Sequence, residues 1–158
     1  MLNIIVNFVR KMSSSESPLD ILAGLSQSVV KGRMRYSDGF TYDGFLKGNI
    51  RHGYGKISSN DSNYVYQGMW IDNKKNGRGT CSYIKNNKKH IYRGLWKDNK
   101  PDGYGVLEIE NTYDYRGYWK EGKMCGKGEE NVRNGPKYVG LFEDNHPNGK
   151  GKMIYIRG

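Results

Sequence analysis

Aliphatic side chains are scarce: Leu, Ile, Val and Phe supply 31 of the 158 residues, close to the roughly 20% level below which chains tend to stay disordered. Mean hydropathy is −0.85. A thick aliphatic core cannot be built from this material, which argues against a globular α/β enzyme. Long apolar runs are missing too. Residues 2–9 form a short one, well below the about 20 residues of a membrane-spanning helix. Arg10 and Lys11 follow that run rather than precede it, the reverse of a secretory signal. The 2 cysteines, Cys81 and Cys125, lie far apart, so reduced thiols of a cytoplasmic chain are expected and no zinc site.

Catalytic groupings are equally hard to find. His52, His90 and His146 each stand alone in a different stretch, in what are expected to be solvated turns or loops. Glu129 and Glu130 are adjacent, so on a strand they point to opposite faces and cannot share a substrate. Gly-x-Gly recurs without the Lys-Ser/Thr of a phosphate loop. The expectation is a non-enzyme with no catalytic residues, no metal and no cofactor.

What is abundant is glycine, at 22 residues, tyrosine, at 13, and positive charge, with a formal net of +10. Such a charge attracts acidic protein surfaces, anionic lipid or nucleic acid without choosing among them. Residues 1–31 are expected to form an N-terminal segment: the apolar start, a Ser-rich linker at 13–18, then a short helix. Ser17 would cap that helix with Pro18 at its first position, and Leu19, Leu22, Leu25 and Val29 recur at helical spacing. Ser17-Pro18 is either a phosphorylation site or an ordinary capped linker.

Residues 32–158 are organised by a repeat. Tyr42, Tyr66, Tyr92, Tyr115 and Tyr138 stand 24, 26, 23 and 23 residues apart. Two residues after each comes Gly44, Gly68, Gly94, Gly117 or Gly140, and four after comes Leu46, Trp70, Trp96, Trp119 or Phe142. Paired glycines follow at Gly53/Gly55, Gly77/Gly79, Gly103/Gly105, Gly126/Gly128 and Gly149/Gly151. Tyrosine, glycine and tryptophan alternate and therefore share one strand face. Asp72-Asn73, Asp98-Asn99, Glu121-Gly122 and Asp144-Asn145 predict tight hairpin turns, with Asn49 at the matching place in the first copy. Folding there sets the first glycine against the first of the paired glycines and the tyrosine against the second, ring over bare backbone. Further turns at Asp38-Gly39, Asn111-Thr112 and Asn134-Gly135 close an up-and-down meander. The longer second interval predicts extra residues in one inter-repeat loop near Ile84–His90. Half-repeats at 32–39 and 151–158 predict an open sheet edge at the C-terminal end, suited to strand addition or a homodimer. The helix would cover the other end.

This pattern, Tyr-x-Gly-x-Trp followed by Gly-x-x-x-Gly-x-Gly in five phased copies, resembles the MORN repeat (membrane occupation and recognition nexus). The fold class expected is all-β: an elongated, twisted single-layer antiparallel sheet of hairpins, preceded by the short N-terminal helix. The resemblance also implies a non-enzymatic scaffold or adaptor holding a partner protein near membrane or cytoskeleton. Alternatively it implies a regulatory module acting with a lipid kinase or methyltransferase.

Two surfaces are candidates for that work. The stripe Tyr66, Trp70, Tyr92, Trp96, Tyr115, Trp119, Tyr138 and Phe142 either lines a partner-binding groove or packs repeat on repeat. The opposite face also carries apolar residues, at Phe45, Met69, Leu95, Tyr118 and Leu141, and a sheet apolar on both faces favours a partner. Lys74, Lys75 and Arg78, beside Lys85, Lys88 and Lys89 on neighbouring turns, either form a site for acidic phospholipids or a solvated surface. Nucleic acid is disfavoured as a partner, since many rings are already claimed by glycine.

Overall fold

The computed structural model describes residues 28–155. They form one sheet of 11 strands whose order in space is their order in sequence. The strands are β1 (Val29–Arg35), β2 (Phe40–Lys47), β3 (Ile50–Ser59), β4 (Tyr64–Ile71), β5 (Lys74–Lys85) and β6 (Lys88–Lys97). There follow β7 (Lys100–Ile109), β8 (Tyr113–Lys120), β9 (Lys123–Val132), β10 (Lys137–Glu143) and β11 (His146–Ile154). All neighbours pair antiparallel. The all-β single-layer architecture is as expected, and none of the described residues is helical. The expected N-terminal helix falls almost wholly outside the described residues. Its last two positions, Val29 and Val30, instead open β1, opposite Lys47 and Leu46.

The hairpin turns sit where the sequence puts them. Asp72-Asn73, Asp98-Asn99, Glu121-Gly122 and Asp144-Asn145 all have both residues at positive φ, as a type I′ turn requires. In the first repeat Gly48 has positive φ and Asn49 is not among the positive-φ residues. Around Ile84–His90 the expected long loop is absent. The extra residues lengthen β5 and β6, which pair to Lys85↔Lys88 across a two-residue turn. Both turn residues, Asn86 (φ 51°) and Asn87 (φ 57°), are left-handed. His90 accordingly lies in a strand, stacked on Tyr83 at 4.9 Å, rather than in a loop.

Register within each hairpin differs from the simple expectation by two residues. Leu46 faces Arg51, but Gly44 then faces Gly55 rather than Gly53, and Tyr42 faces Ile57. A β-bulge absorbs the difference, and the same shift recurs in every later hairpin. Gly53, at φ +85°, bends the strand there, a conformation that an L side chain resists. The tyrosine then completes the bulge: Tyr42 Oη donates to the Phe45 carbonyl at 2.8 Å. Tyr66, Tyr92, Tyr115 and Tyr138 do the same to Met69, Leu95, Tyr118 and Leu141 at 2.9–3.1 Å. Ring over glycine is therefore real, with the ring crossing the Gly44–Gly55 type of pair.

Successive repeats are also tied through their turns. Asn73 N donates to the Arg51 carbonyl (3.0 Å) while Arg51 N donates to Asn73 Oδ1 (2.9 Å). Asn99 with Lys75, and Asn145 with Met124, repeat this two-way bond. In the Glu121-Gly122 turn, Gly122 N donates to the Pro101 carbonyl at 2.8 Å. Proline has no N–H to return the bond, so an asparagine side chain there would have nothing to accept.

Candidate binding surfaces of the sheet

One face of the sheet is a continuous string of rings. Tyr42 meets Trp70 edge-to-face at 5.6 Å, Trp70 meets Tyr66 at 5.1 Å, and Tyr66 meets Trp96 at 5.3 Å. The string runs on through Tyr92, Trp119, Tyr115 and Phe142 to Tyr138 at 5.0–5.3 Å. Each such contact contributes about 0.5–1.5 kcal/mol beyond the area it buries. The indole N–H groups of Trp70, Trp96 and Trp119 donate to the carbonyls of Gly55, Gly79 and Gly105, one repeat back. Burial pushes the Tyr42 and Tyr115 phenols up to about 12, and raises Tyr66 and Tyr92 as well.

All eight stripe residues, Tyr66, Trp70, Tyr92, Trp96, Tyr115, Trp119, Tyr138 and Phe142, are at most 8% exposed. They are the protein's core, and this side is called the core face below. Partly buried Tyr36, Phe40, Tyr64, Tyr83, Leu107, Tyr113 and Met124 pack against them.

The open face is different. Phe45, Met69, Leu95, Tyr118 and Leu141 are 37–52% exposed there. The residue between each pair of glycines joins them: Tyr54 opposite Met69, Arg78 opposite Leu95, Tyr104 opposite Tyr118, Lys127 opposite Leu141. With Lys31 opposite Phe45, one side chain per strand runs in a single row across β1 to β10. At the usual strand spacing that row is about 43 Å long. Tyr54 and Tyr104, 49% and 51% exposed, are absent from the sequence-based candidates. The signal that would have found them is the central residue of each Gly-x-Gly.

Charge on the open face is one-sided. Asp43, Glu108, Asp114 and Glu129 beside the row pair with Arg33, Arg93, Arg116 and Lys137. Lys31, Lys56, Arg78 and Lys127 have no ion pair among the described residues, which leaves this face basic. Glu129 and Glu130 do point opposite ways, the latter accepting a hydrogen bond from Tyr113 Oη on the core face.

The candidate lipid-binding residues are not brought together. Lys74 and Lys85 are the first and last residues of β5, about 36 Å apart at ordinary strand rise. Lys74 pairs with Asp98 at 3.1 Å. Lys75 is drawn into the core face over the Tyr64, Tyr66 and Trp96 rings, whereas Arg78 stands on the open face. Only Lys85, Lys88 and Lys89 share a hairpin tip, where Lys88 Nζ donates to Thr112 Oγ1. The expected single cluster is thus four separate places, because a 12-residue strand intervenes and its successive side chains face opposite ways.

Among the described residues no helix is long and apolar enough to cross a membrane, and no three His, Cys, Asp or Glu side chains converge on a metal position. Cys81 is buried and its thiol is raised by that burial. A single-layer sheet of tandem hairpins, locked by a ring string and carrying an exposed row on its other side, defines a β-hairpin repeat protein. Residues 42–64, 66–90, 92–111, 115–135 and 138–158 each match the MORN repeat, and the chain belongs to the MORN-repeat family. Its repeats are generally a non-catalytic module. No curated protein matches the chain significantly.

Proposed function

We propose that this protein is a non-enzymatic scaffold that holds a partner protein on the open face, near a membrane or the cytoskeleton. The partner contributes an acidic segment with apolar side chains spaced to meet Phe45, Tyr54, Met69, Leu95, Tyr104 and Tyr118. The observation that carries this reading is the exposed row: seven apolar or aromatic side chains, about half accessible, interspersed with Lys31, Arg78 and Lys127, with Asp43, Glu108, Asp114 and Glu129 beside it already paired. Aromatic residues at a desolvated centre with charge around them are what protein interfaces use. The buried stripe supports the site by keeping the sheet rigid, so little ordering cost is paid on binding.

The test is capture of a partner by the full chain at physiological salt, with a photo-crosslinking residue at position 69 and mass spectrometry of the adduct. The reading expects an acidic segment, lost with Tyr54→Ser plus Tyr104→Ser and with Arg78→Glu plus Lys127→Glu. Adducts on neutral or basic segments, or capture indifferent to both variants, would refute it.

A second reading rests on β11, exposed at every position and paired only with β10 among the described residues. A second copy adding there would extend the sheet as a homodimer; concentration-dependent mass by sedimentation tests it. For acidic phospholipid, Lys85, Lys88 and Lys89 remain the contact set, and flotation lost at physiological salt is the expected behaviour of so small a patch.

A further inference from the structure

Beside β3 and β5 the core face opens into a depression of about 400 Å³. Tyr36, Phe40, Tyr64 and Trp70 form its apolar walls, and Arg51 and Lys75 enter it from the hairpin side. The Arg51 guanidinium lies 4.4 Å from the Trp70 ring centre and 5.8 Å from that of Tyr36. It is held in place by Asn73, through Nε to Oδ1 at 3.2 Å and Nη2 to the carbonyl at 3.0 Å. Lys75 Nζ lies 5.0 Å from the Tyr64 ring centre and donates to the Tyr64 hydroxyl.

Neither cation has an ion-pair partner among the described residues. Asp38 also lines the depression, and its carboxylate accepts a hydrogen bond from Phe40 N at 3.3 Å. Burial holds the Lys75 ammonium below its ordinary range; neighbouring Cys81 opposes that shift and the Arg51 charge adds to it. Two cations and one carboxylate, Asp38, therefore share a partly desolvated, aromatic-walled site in which neither cation is ion-paired and positive charge is in excess, an arrangement that an incoming anion relieves. The flat guanidinium suits the two oxygens of a carboxylate or phosphate. The volume falls within the usual small-molecule range of about 300–1,000 Å³.

We propose that this depression binds a small aromatic oxyanion, an aryl carboxylate or aryl phosphate, with Arg51 and Lys75 on the charged group and Tyr36, Phe40 and Tyr64 against its ring. The site is on the opposite face from the partner-binding row and stands or falls without it. The experiment titrates the full chain with benzoate, phenyl phosphate and inorganic phosphate, followed by calorimetry and by NMR of the aromatic side chains. Saturable one-to-one binding of an aryl ligand is expected, with shifts confined to Tyr36, Phe40, Tyr64 and Trp70. Arg51→Gln and Lys75→Met should each weaken it at least tenfold, while Lys85→Gln plus Lys88→Gln leaves it unchanged. Arg51→Gln removes a half-buried group, so a melting curve matching the parent keeps that arm interpretable if Lys75→Met unfolds. Inorganic phosphate binding as tightly as phenyl phosphate, an equal loss in the Lys85/Lys88 control, or no saturation with either aryl ligand would overturn the proposal.

Discussion

The two faces of this sheet carry similar residue types and use them in opposite ways. On the core face, tyrosine alternates with glycine along the strand, so each ring can fold down onto bare backbone, and from Tyr42 to Tyr115 each is roofed by the next repeat's aromatic ring. On the open face Tyr54, Tyr104 and Tyr118 stand two residues along the strand from Lys56, Val106 and Arg116, where the core-face tyrosines have glycine. The first set is buried to 8% exposure or less, whereas the second stays near one half. The same side chain is thus a structural element or an available contact according to whether its strand neighbour has a Cβ.

This contrast can be broken from the core side first. Trp96→Ala should cost about 3–5 kcal/mol, as for other buried aromatic truncations, because it cuts the ring string between Tyr66 and Tyr92. Urea denaturation measures it. Adding a methyl group should do almost as much: a Cβ on Gly105 would sit 2.5 Å from Tyr92 Cζ, so Gly105→Ala is expected to lose about 1–3 kcal/mol and the hydroxyl bond to Leu95. Wild-type stability in Gly105→Ala would mean that the ring does not lie where its neighbour's glycine permits.

High pH attacks the same face without mutation. Free phenols ionise near 10, whereas Tyr42 and Tyr115 are held up to about 12 by burial. Above about pH 10 the unfolded chain loses protons that the folded chain retains, so stability is full below that point and falls as pH rises toward 12. Urea midpoints that stay constant through this window would contradict the burial of these phenols.

Smaller effects sharpen the comparison. Asn99→Gly keeps the left-handed turn but removes the acceptor for Lys75 N, for an expected loss of about 1 kcal/mol. Gly122→Asn, facing Pro101, should gain nothing. The smallest effect is expected on the open face, where Tyr54→Ser plus Tyr104→Ser should change stability by less than about 1 kcal/mol.

Much of this was legible in the sequence, and particular residues show why the rest was not. Phased Tyr42-x-Gly44-x-Leu46 and its later copies carry strand, face and repeat together, since period two and a tight turn leave one way to fold. The two-residue register error came from counting Gly53 and Gly55 as equivalent. One bends the chain and the other lies under a ring, a division that only the bulge reveals. Asn86-Asn87 held a turn signal, yet the longer interval suggested a loop, and paired strands absorbed it instead. As for the candidate contacts, alternation could show two apolar faces but not which one the chain itself would cover. The lysines were adjacent in sequence and are separated by the length of β5.

The most direct test sets the two faces against each other in one experiment: urea stability and partner crosslinking from position 69, measured for Trp96→Ala and for Tyr54→Ser plus Tyr104→Ser. The account predicts that the open-face variant keeps its stability to within about 1 kcal/mol and loses the partner, while Trp96→Ala loses several times more stability. An open-face variant that unfolds like Trp96→Ala, or that stays folded and keeps its partner, would contradict it.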